Sequence, residues 1–180
     1  MVPLATIREL FAYNYWARDR QLEACAKLSQ EQFLRPLGNS FPSLRDTLAH
    51  LVTAEWIWHE WLRRGSAEKR PAPEDFPDLQ SIHEGWRPIE QGLRDYLANA
   101  TDETLAGRLS FSSRVMGKTM NYPVWRALLH LANHQSYHRG QVTMCLRLLG
   151  VQPQMTDIVV ADREGALDEI GGQKYLQQSA

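Results

Sequence analysis

Three of the six histidines repeat at a spacing of four in the stretch His130-Leu-Ala-Asn-His134-Gln-Ser-Tyr-His138-Arg-Gly-Gln141. The stretch lies in a segment whose apolar pattern predicts one long helix over residues 123–149. Four residues advance an α-helix by about 400°, so adjacent histidines of this run return to within roughly 40° of the same face. Such a pair could bind one metal ion, and spacing alone does not choose between the first pair and the second.

A metal centre needs more ligands than two imidazoles. Catalytic zinc sites use three protein ligands and leave a further position for water or substrate. His50 is the best third candidate, because it lies in a second predicted helix that could face the first across a bundle. The metalloprotease motif H-E-x-x-H is a poor match, since Gln135 stands where that motif has its glutamate.

The helix that carries His50 has clear start and stop signals. Ser43 offers an N-cap oxygen, Asp46 follows three positions later, and Gly65 can end the helix after Arg64. Its predicted inward stripe contains Leu44, Leu48, Leu51, Val52, Glu55, Trp58 and Leu62.

Three tryptophans crowd this second helix. The spacings of two and three between Trp56, Trp58 and Trp61 spread them around the axis, so they cannot all point inward. They predict either a subunit contact or an apolar wall beside the metal, and the sequence does not separate the two. His59 lies away from His50 by angle and is predicted to be a surface residue.

Apolar periodicity also predicts the other long helices. A first helix is expected from Leu4 to Lys27, followed by a crossing segment, residues 28–42, with one helical turn around Gln30 to Leu34. A third helix should begin after Asp78, and Pro88 should bend or interrupt it.

The pattern changes before the last helix. Residues 108–114 and 116–122, divided near Gly117, alternate loosely and predict a short β-hairpin that must lean on the helices. Pro123 suits the first turn of the last helix. The remaining tail should pack over the bundle, with a short helix near Glu164 to Ile170.

Composition limits the classes of protein. The 180 residues are 43% hydrophobic and 23% charged, which suits one globular domain spanning residues 1–180. A net charge of −1 gives no electrostatic case for binding nucleic acid. No apolar run reaches the roughly 20 residues of a membrane span and no signal peptide is evident, so we expect no membrane association and a cytoplasmic location. Cys25 and Cys145 are expected to be reduced thiols in the core.

Taken together, the motifs resemble the DinB-like (DinB/YfiT) superfamily of metal-binding four-helix-bundle proteins. The similarity rests on an early helical Leu48-Ala-His50-Leu-Val, a first-helix Phe11-Ala-Tyr-Asn-Tyr-Trp16-Ala, and His134-x-x-x-His138-Arg-Gly-Gln141 near the end. It implies an all-α fold, a four-helix bundle with a long crossover connection. It also implies that His50, His134 and His138 are the metal ligands, that His130 is a neighbour, and that Asn14 and Trp16 could face the metal end of the core.

The resemblance also implies a chemistry. Three imidazoles suit zinc or nickel first, with iron, cobalt and manganese as alternatives. Members of the superfamily include transferases and isomerases that use a low-molecular-weight thiol such as bacillithiol, mycothiol or glutathione. The leading hypothesis is therefore a metal-dependent transferase that activates such a thiol for attack on a small electrophile, in a homodimer, with no protein residue acting as nucleophile. The alternatives are a metal-dependent hydrolase and a non-enzymatic stress-response or interaction protein with a structural ion.

Overall fold

The computed structural model describes residues 2–113 and 117–167, most of them in helices. Four long helices form the bundle: α1 (Leu4–Cys25), α3 (Leu44–Arg64), α4 (Leu79–Asn99) and α6 (Val124–Leu148). The shorter elements are α2 (Gln30–Leu34), a single 3-10 turn (Pro73–Asp75), α5 (Asp102–Ala106), α7 (Ile158–Arg163), and a hairpin of β1 (Arg108–Ser113) and β2 (Lys118–Pro123). The predicted all-α class with a small hairpin before the last helix is confirmed.

Contacts between side chains give the direction of each long helix. Helix α6 runs parallel to α1, because Asn14 meets Arg139 and Gln21 meets Thr143 farther along both helices. Helix α3 runs against α6 and α4 runs against α1, so α3 and α4 point the same way. The connection between α3 and α4, residues 65–78, must therefore return along the length of the bundle, so the long crossover lies there and not in residues 28–42, which were predicted to be the crossing segment.

Local chemistry explains where α3 and α4 begin and end. The Ser43 side chain accepts a hydrogen bond from the Asp46 backbone amide at 3.2 Å, and Gly65 ends α3 with φ of 70°. Asp78 caps α4 in the same way through the amide of Ser81 at 2.8 Å. Helix α4 continues through Pro88 without the interruption that its sequence suggests.

Several predicted boundaries were wrong by a few residues. Helix α1 ends at Cys25 rather than at Lys27, and Pro123 precedes α6 in an extended conformation instead of lying in its first turn. The short helix of the tail lies earlier than predicted, at α7, and Glu164 begins the turns that follow it. Residues 168–170 of that predicted helix lie outside the described residues.

The hairpin packs on the bundle as expected. Its strands pair antiparallel from Arg108↔Pro123 to Ser113↔Lys118, and Gly117 supplies φ of 63° in the connection. Phe111 of β1 stacks on Trp61 of α3 with ring centroids 4.0 Å apart. The two short strands therefore take their stability from helix contacts.

The core fills the space between the long helices, and both cysteines are part of it. Cys25 and Cys145 are buried free thiols, as predicted, and burial raises the pKa of Cys25 to about 12. In the described parts of the chain, no helix has the length and apolar character that crossing a membrane requires.

Candidate metal centre

Three histidines from two antiparallel helices converge on one point. The Nε2 atom of His134 on α6 lies 3.2 Å from Nε2 of His50 on α3 and 3.2 Å from Nε2 of His138. One ligand nitrogen from each ring lies within 4.8 Å of the others. The structure thus brings together His50, His134 and His138, the three residues that the sequence resemblance selects.

Burial keeps two of these rings neutral. Burial, and after it the charges of the neighbouring imidazoles, lower the pKa of His50 to about 4 and that of His134 to about 3. A neutral imidazole keeps a lone pair on one ring nitrogen, which is the form that binds a metal. Both rings are therefore competent ligands at neutral pH.

The spacing of these nitrogens matches a metal site. At a zinc–nitrogen distance of about 2.0–2.1 Å, tetrahedral ligand atoms lie about 3.3–3.4 Å apart, close to the two separations of 3.2 Å. Among the described residues, no Cys, Asp, Glu or further His joins the group. Three imidazole nitrogen donors fit a divalent transition ion, and such a set leaves a position for another ligand.

Gln141 orients the most buried of the three rings. Its Oε1 lies 2.7 Å from Nδ1 of His138, so Nδ1–H donates to the amide oxygen and the lone pair remains on Nε2. The Gln141 amide nitrogen in turn donates to Oγ of Ser40 at 3.2 Å. The sequence analysis did not identify this acceptor, although its position three residues after His138 places it on the same helix face.

Phe41 covers the cluster from the segment before α3. Its ring stacks on His50 with centroids 4.5 Å apart and lies 5.6 Å from His138. Sequence reasoning missed this contact, because the crossing segment has no periodicity that would predict which side chain turns inward. Nδ1 of His134 is buried without a hydrogen-bond partner among the described residues.

An open cavity adjoins the histidines. It measures about 480 Å³, and His50, Phe41, Thr53 and the loop over residues 70–74 form its walls. Small-molecule sites typically measure about 300–1,000 Å³, so the space is large enough for a compact ligand beside His50.

His130 is a neighbour of the cluster and not a member. Its ring is exposed, with its centroid 5.8 Å from that of His134 and 5.0 Å from that of Trp58. Trp58 and Trp61 pack edge to face with centroids 4.9 Å apart, and both contact Phe111 of the hairpin. These two tryptophans thus anchor the hairpin to α3.

A second polar cluster lies in the centre of the bundle. The carboxylate of Glu55, 1% exposed, accepts hydrogen bonds from Tyr15 Oη at 3.0 Å, Trp86 Nε1 at 2.8 Å and Gln135 Nε2 at 2.8 Å. Each of the other three long helices supplies one donor. Burial raises the pKa of Glu55, and the hydrogen bonds from Trp86 and Tyr15, with the charge of Arg18, oppose that shift by favouring the ionised form.

The remaining predictions around the site had mixed outcomes. Arg139 is buried and donates to Ser136 Oγ of its own helix and to Asn14 Oδ1 of α1, so it links the two helices. Trp16 does not face the histidines, because its Nε1 donates to Glu164 at 3.3 Å. The surface position predicted for His59 is wrong: its side chain is 14% exposed and packs against Gly92 of α4, where an added Cβ would lie 2.3 Å from Nε2.

Fold and site together define a helical-bundle protein with a three-histidine cluster between two of its long helices. The family model that describes the DinB family matches residues 1–169, and the chain belongs to that family. It is 24% identical over 156 residues to Protein DinB of Bacillus subtilis (strain 168), covering 83% of this chain and 89% of that protein. A crystal structure of a DinB-like protein from Bacillus cereus ATCC 10987 has the same fold, with a TM-score of 0.61 and 21% identity over 78% of this chain and 91% of that one.

Proposed function

We propose that the chain binds one divalent metal ion through His50, His134 and His138 and uses it to activate a low-molecular-weight thiol for attack on an electrophilic small molecule. The observation that carries the proposal is the convergence of three Nε2 atoms next to a cavity of about 480 Å³ that His50 lines. A set of three protein ligands with adjoining space is typical of metal sites that bind a reactant.

The chain's own residues would prepare the site in three ways. Gln141 accepts the hydrogen bond from Nδ1–H of His138, so that Nε2 faces the other two ligand atoms. Phe41 limits the access of water to His50 and His138. The cavity holds the electrophile close to the thiol, which lowers the entropic cost of bringing the two reactants together.

A bound divalent ion would lower the pKa of a coordinated thiol or water and so provide a nucleophile at neutral pH. In thiol transfer the sulfur forms a bond to the electrophilic atom, the leaving group departs with its electron pair, and the thiol proton passes to solvent. No side chain is needed as nucleophile, which agrees with the raised pKa of both cysteine thiols.

Metal content is the first test. Plasma mass spectrometry on untagged protein, prepared without chelator, should find about one zinc, nickel or related divalent ion per chain. His134→Ala should lose it, and His83→Ala is the matched control, because His83 is exposed on α4 and outside the cluster. If parent and His134→Ala bind metal equally, or if neither binds added zinc or nickel, the proposed centre is wrong.

Turnover assays then separate the classes of function. With an aryl halide as electrophile, loss of the free thiol that depends on the metal would support thiol transfer. Metal-dependent ester cleavage without thiol would instead favour a hydrolase. A metal-loaded protein that binds neither thiol nor substrate would favour a structural ion in a non-enzymatic protein.

A further inference from the structure

Arg70 lies at the junction of two cavities along the exposed side of α3. It lines the cavity of about 480 Å³ beside His50, and it also lines a second one of about 320 Å³ bordered by Ile57, Trp61 and the hairpin. Because the positively charged Arg70 side chain lines both cavities, it can contact a ligand that enters either of them.

The loop that carries Arg70 is fixed to α3 close by. Arg45 Nη1 donates to the carbonyl oxygen of Pro73 at 2.7 Å, and Thr53 Oγ1 donates to that of Pro71 at 3.2 Å. These two bonds hold the backbone that follows Arg70 against the helix. The position of the loop beside His50 is therefore set by the protein before any ligand binds.

Arg45 and Arg70 border the same region but differ in their partners. Arg45 pairs with Asp46 at 3.0 Å and also binds the Pro73 carbonyl. Arg70 makes no hydrogen bond or ion pair with any residue that the structure describes. Glu74, on the same cavity wall, is also without an ionic partner in those residues. The cavity thus offers one free guanidinium and one free carboxylate.

We propose that Arg70 binds the carboxylate of the thiol, so that the preferred thiol is one that carries a carboxylate group. The inference rests on the proposed function, because it places the thiol sulfur at the three histidines. A guanidinium matches a carboxylate with two parallel hydrogen bonds, which gives it a geometric preference over a neutral hydroxyl. Glu74 would repel a second negative charge, so a monocarboxylate fits better than a dicarboxylate.

The walls of the larger cavity suit the rest of such a ligand. Phe41, Pro42, Pro71, Ala72 and Pro73 give it a largely apolar lining between His50 and the loop. An aliphatic ligand with a thiol at one end and a carboxylate at the other matches a lining that has His50 and Arg70 as polar groups and apolar side chains beside them.

The test compares two thiols of equal length on cobalt(II)-loaded protein. Mercaptopropionate carries the carboxylate, and mercaptopropanol replaces it by a hydroxyl. Binding is followed by the sulfur-to-cobalt charge-transfer absorption, which reports thiol binding without requiring turnover. The quantity measured is the ratio of the two dissociation constants, in the parent and in Arg70→Gln, Arg70→Lys and Arg87→Gln. Arg87 is the control, an exposed arginine of α4 outside both cavities.

We expect the parent to favour mercaptopropionate by about three- to tenfold, the range of a solvent-accessible charge-assisted pair. Arg70→Gln should bring the ratio close to one, Arg70→Lys should retain part of the preference, and Arg87→Gln should leave it unchanged. A ratio that Arg70→Gln does not alter would overturn the role of Arg70 while leaving thiol activation in place. If cobalt binds and neither thiol does, both the inference and the proposed thiol chemistry are wrong.

Discussion

Glu55 and His50 lie on the same helix, α3, but the two polar clusters to which they belong differ in how far their hydrogen bonds are satisfied. Glu55 accepts three hydrogen bonds from three other helices. The histidine nitrogens face one another across 3.2 Å, and Nδ1 of His134 is buried without a partner among the described residues. Buried polar groups are normally paired, so the first cluster is complete and the second has the composition of a binding site.

Replacing Glu55, the acceptor at the centre of the complete cluster, should have the largest effect on stability. Glu55→Ala leaves the donors of Tyr15, Trp86 and Gln135 unpaired in the core, so the free energy of unfolding should fall by about 3–5 kcal/mol. Urea denaturation at neutral pH measures this loss. Tyr15→Phe removes only one donor and should cost about 1 kcal/mol. If Glu55→Ala proves as stable as the parent, the network does not hold the four helices together.

Adding metal, which binds at the incomplete histidine cluster, should stabilise the protein by a comparable amount. Zinc at 1,000 times its dissociation constant should raise the free energy of unfolding by about 4 kcal/mol, because the folded state alone presents the three nitrogens together. A chelator should reverse the gain. His134→Ala should show no gain, whereas Tyr15→Phe should keep it in full. An equal response of parent and His134→Ala would mean that zinc binds elsewhere.

The contrast also shows which features could be predicted from sequence. The bounds of α3 follow from Ser43, Asp46 and Gly65, and the hairpin follows from alternation around Gly117, because each depends on residues close in the chain. The pairing of His50 with His134 spans 84 positions, and spacing within one helix could not select it. The predicted helix made His50 the best candidate, and the choice of His134 and His138 as its partners rested on the resemblance of several motifs to one family.

Residues that act across helices were harder to predict. His59 was predicted to be a surface residue because its angle on α3 differs from that of His50. Gly92 has no side chain, so α4 approaches closely and leaves the His59 side chain only 14% exposed. Glu55 was placed on the inward stripe without its three partners, since these lie on three other helices. Gln141 was the exception that local spacing could have revealed, because it lies one turn after His138.

Replacing Gln141 should weaken metal binding at the histidine cluster without removing a ligand, and its effect should be smaller than that of His134→Ala. Gln141→Ala removes the acceptor that fixes the proton on Nδ1 of His138, so zinc affinity should fall about 10- to 100-fold while the ligands remain. Competition with a coloured chelator measures the change. Gln91→Ala is the control, because within the described residues the side chain of that exposed glutamine of α4 bonds only to Asp95. Unchanged affinity in Gln141→Ala would show that His138 needs no such support.

The two clusters should respond to acid in opposite directions, which gives the finest comparison. In metal-free protein the folded-state pKa values of His50 and His134 lie near 4 and 3, below the unfolded value of about 6.5. Between pH 6.5 and pH 4.5 the unfolded chain therefore binds more protons at these rings, and their contribution to stability falls as the pH falls. Glu55 has a raised pKa, so in the same window the folded state binds more protons and its contribution rises on acidification.

Variants at each cluster should separate these two contributions. Each histidine can add at most about 1.4 kcal/mol per pH unit to the slope, and the partial exposure of both rings reduces this value. His134→Ala should make the decline of stability on acidification shallower, whereas Glu55→Gln should make it steeper, because it removes the group that gains protons on folding. Urea denaturation in chelator at several pH values measures both slopes. If the two variants shift the slope of stability against pH in the same direction, the proposed contrast is wrong. The Glu55 cluster and the histidine cluster would then respond to acid alike.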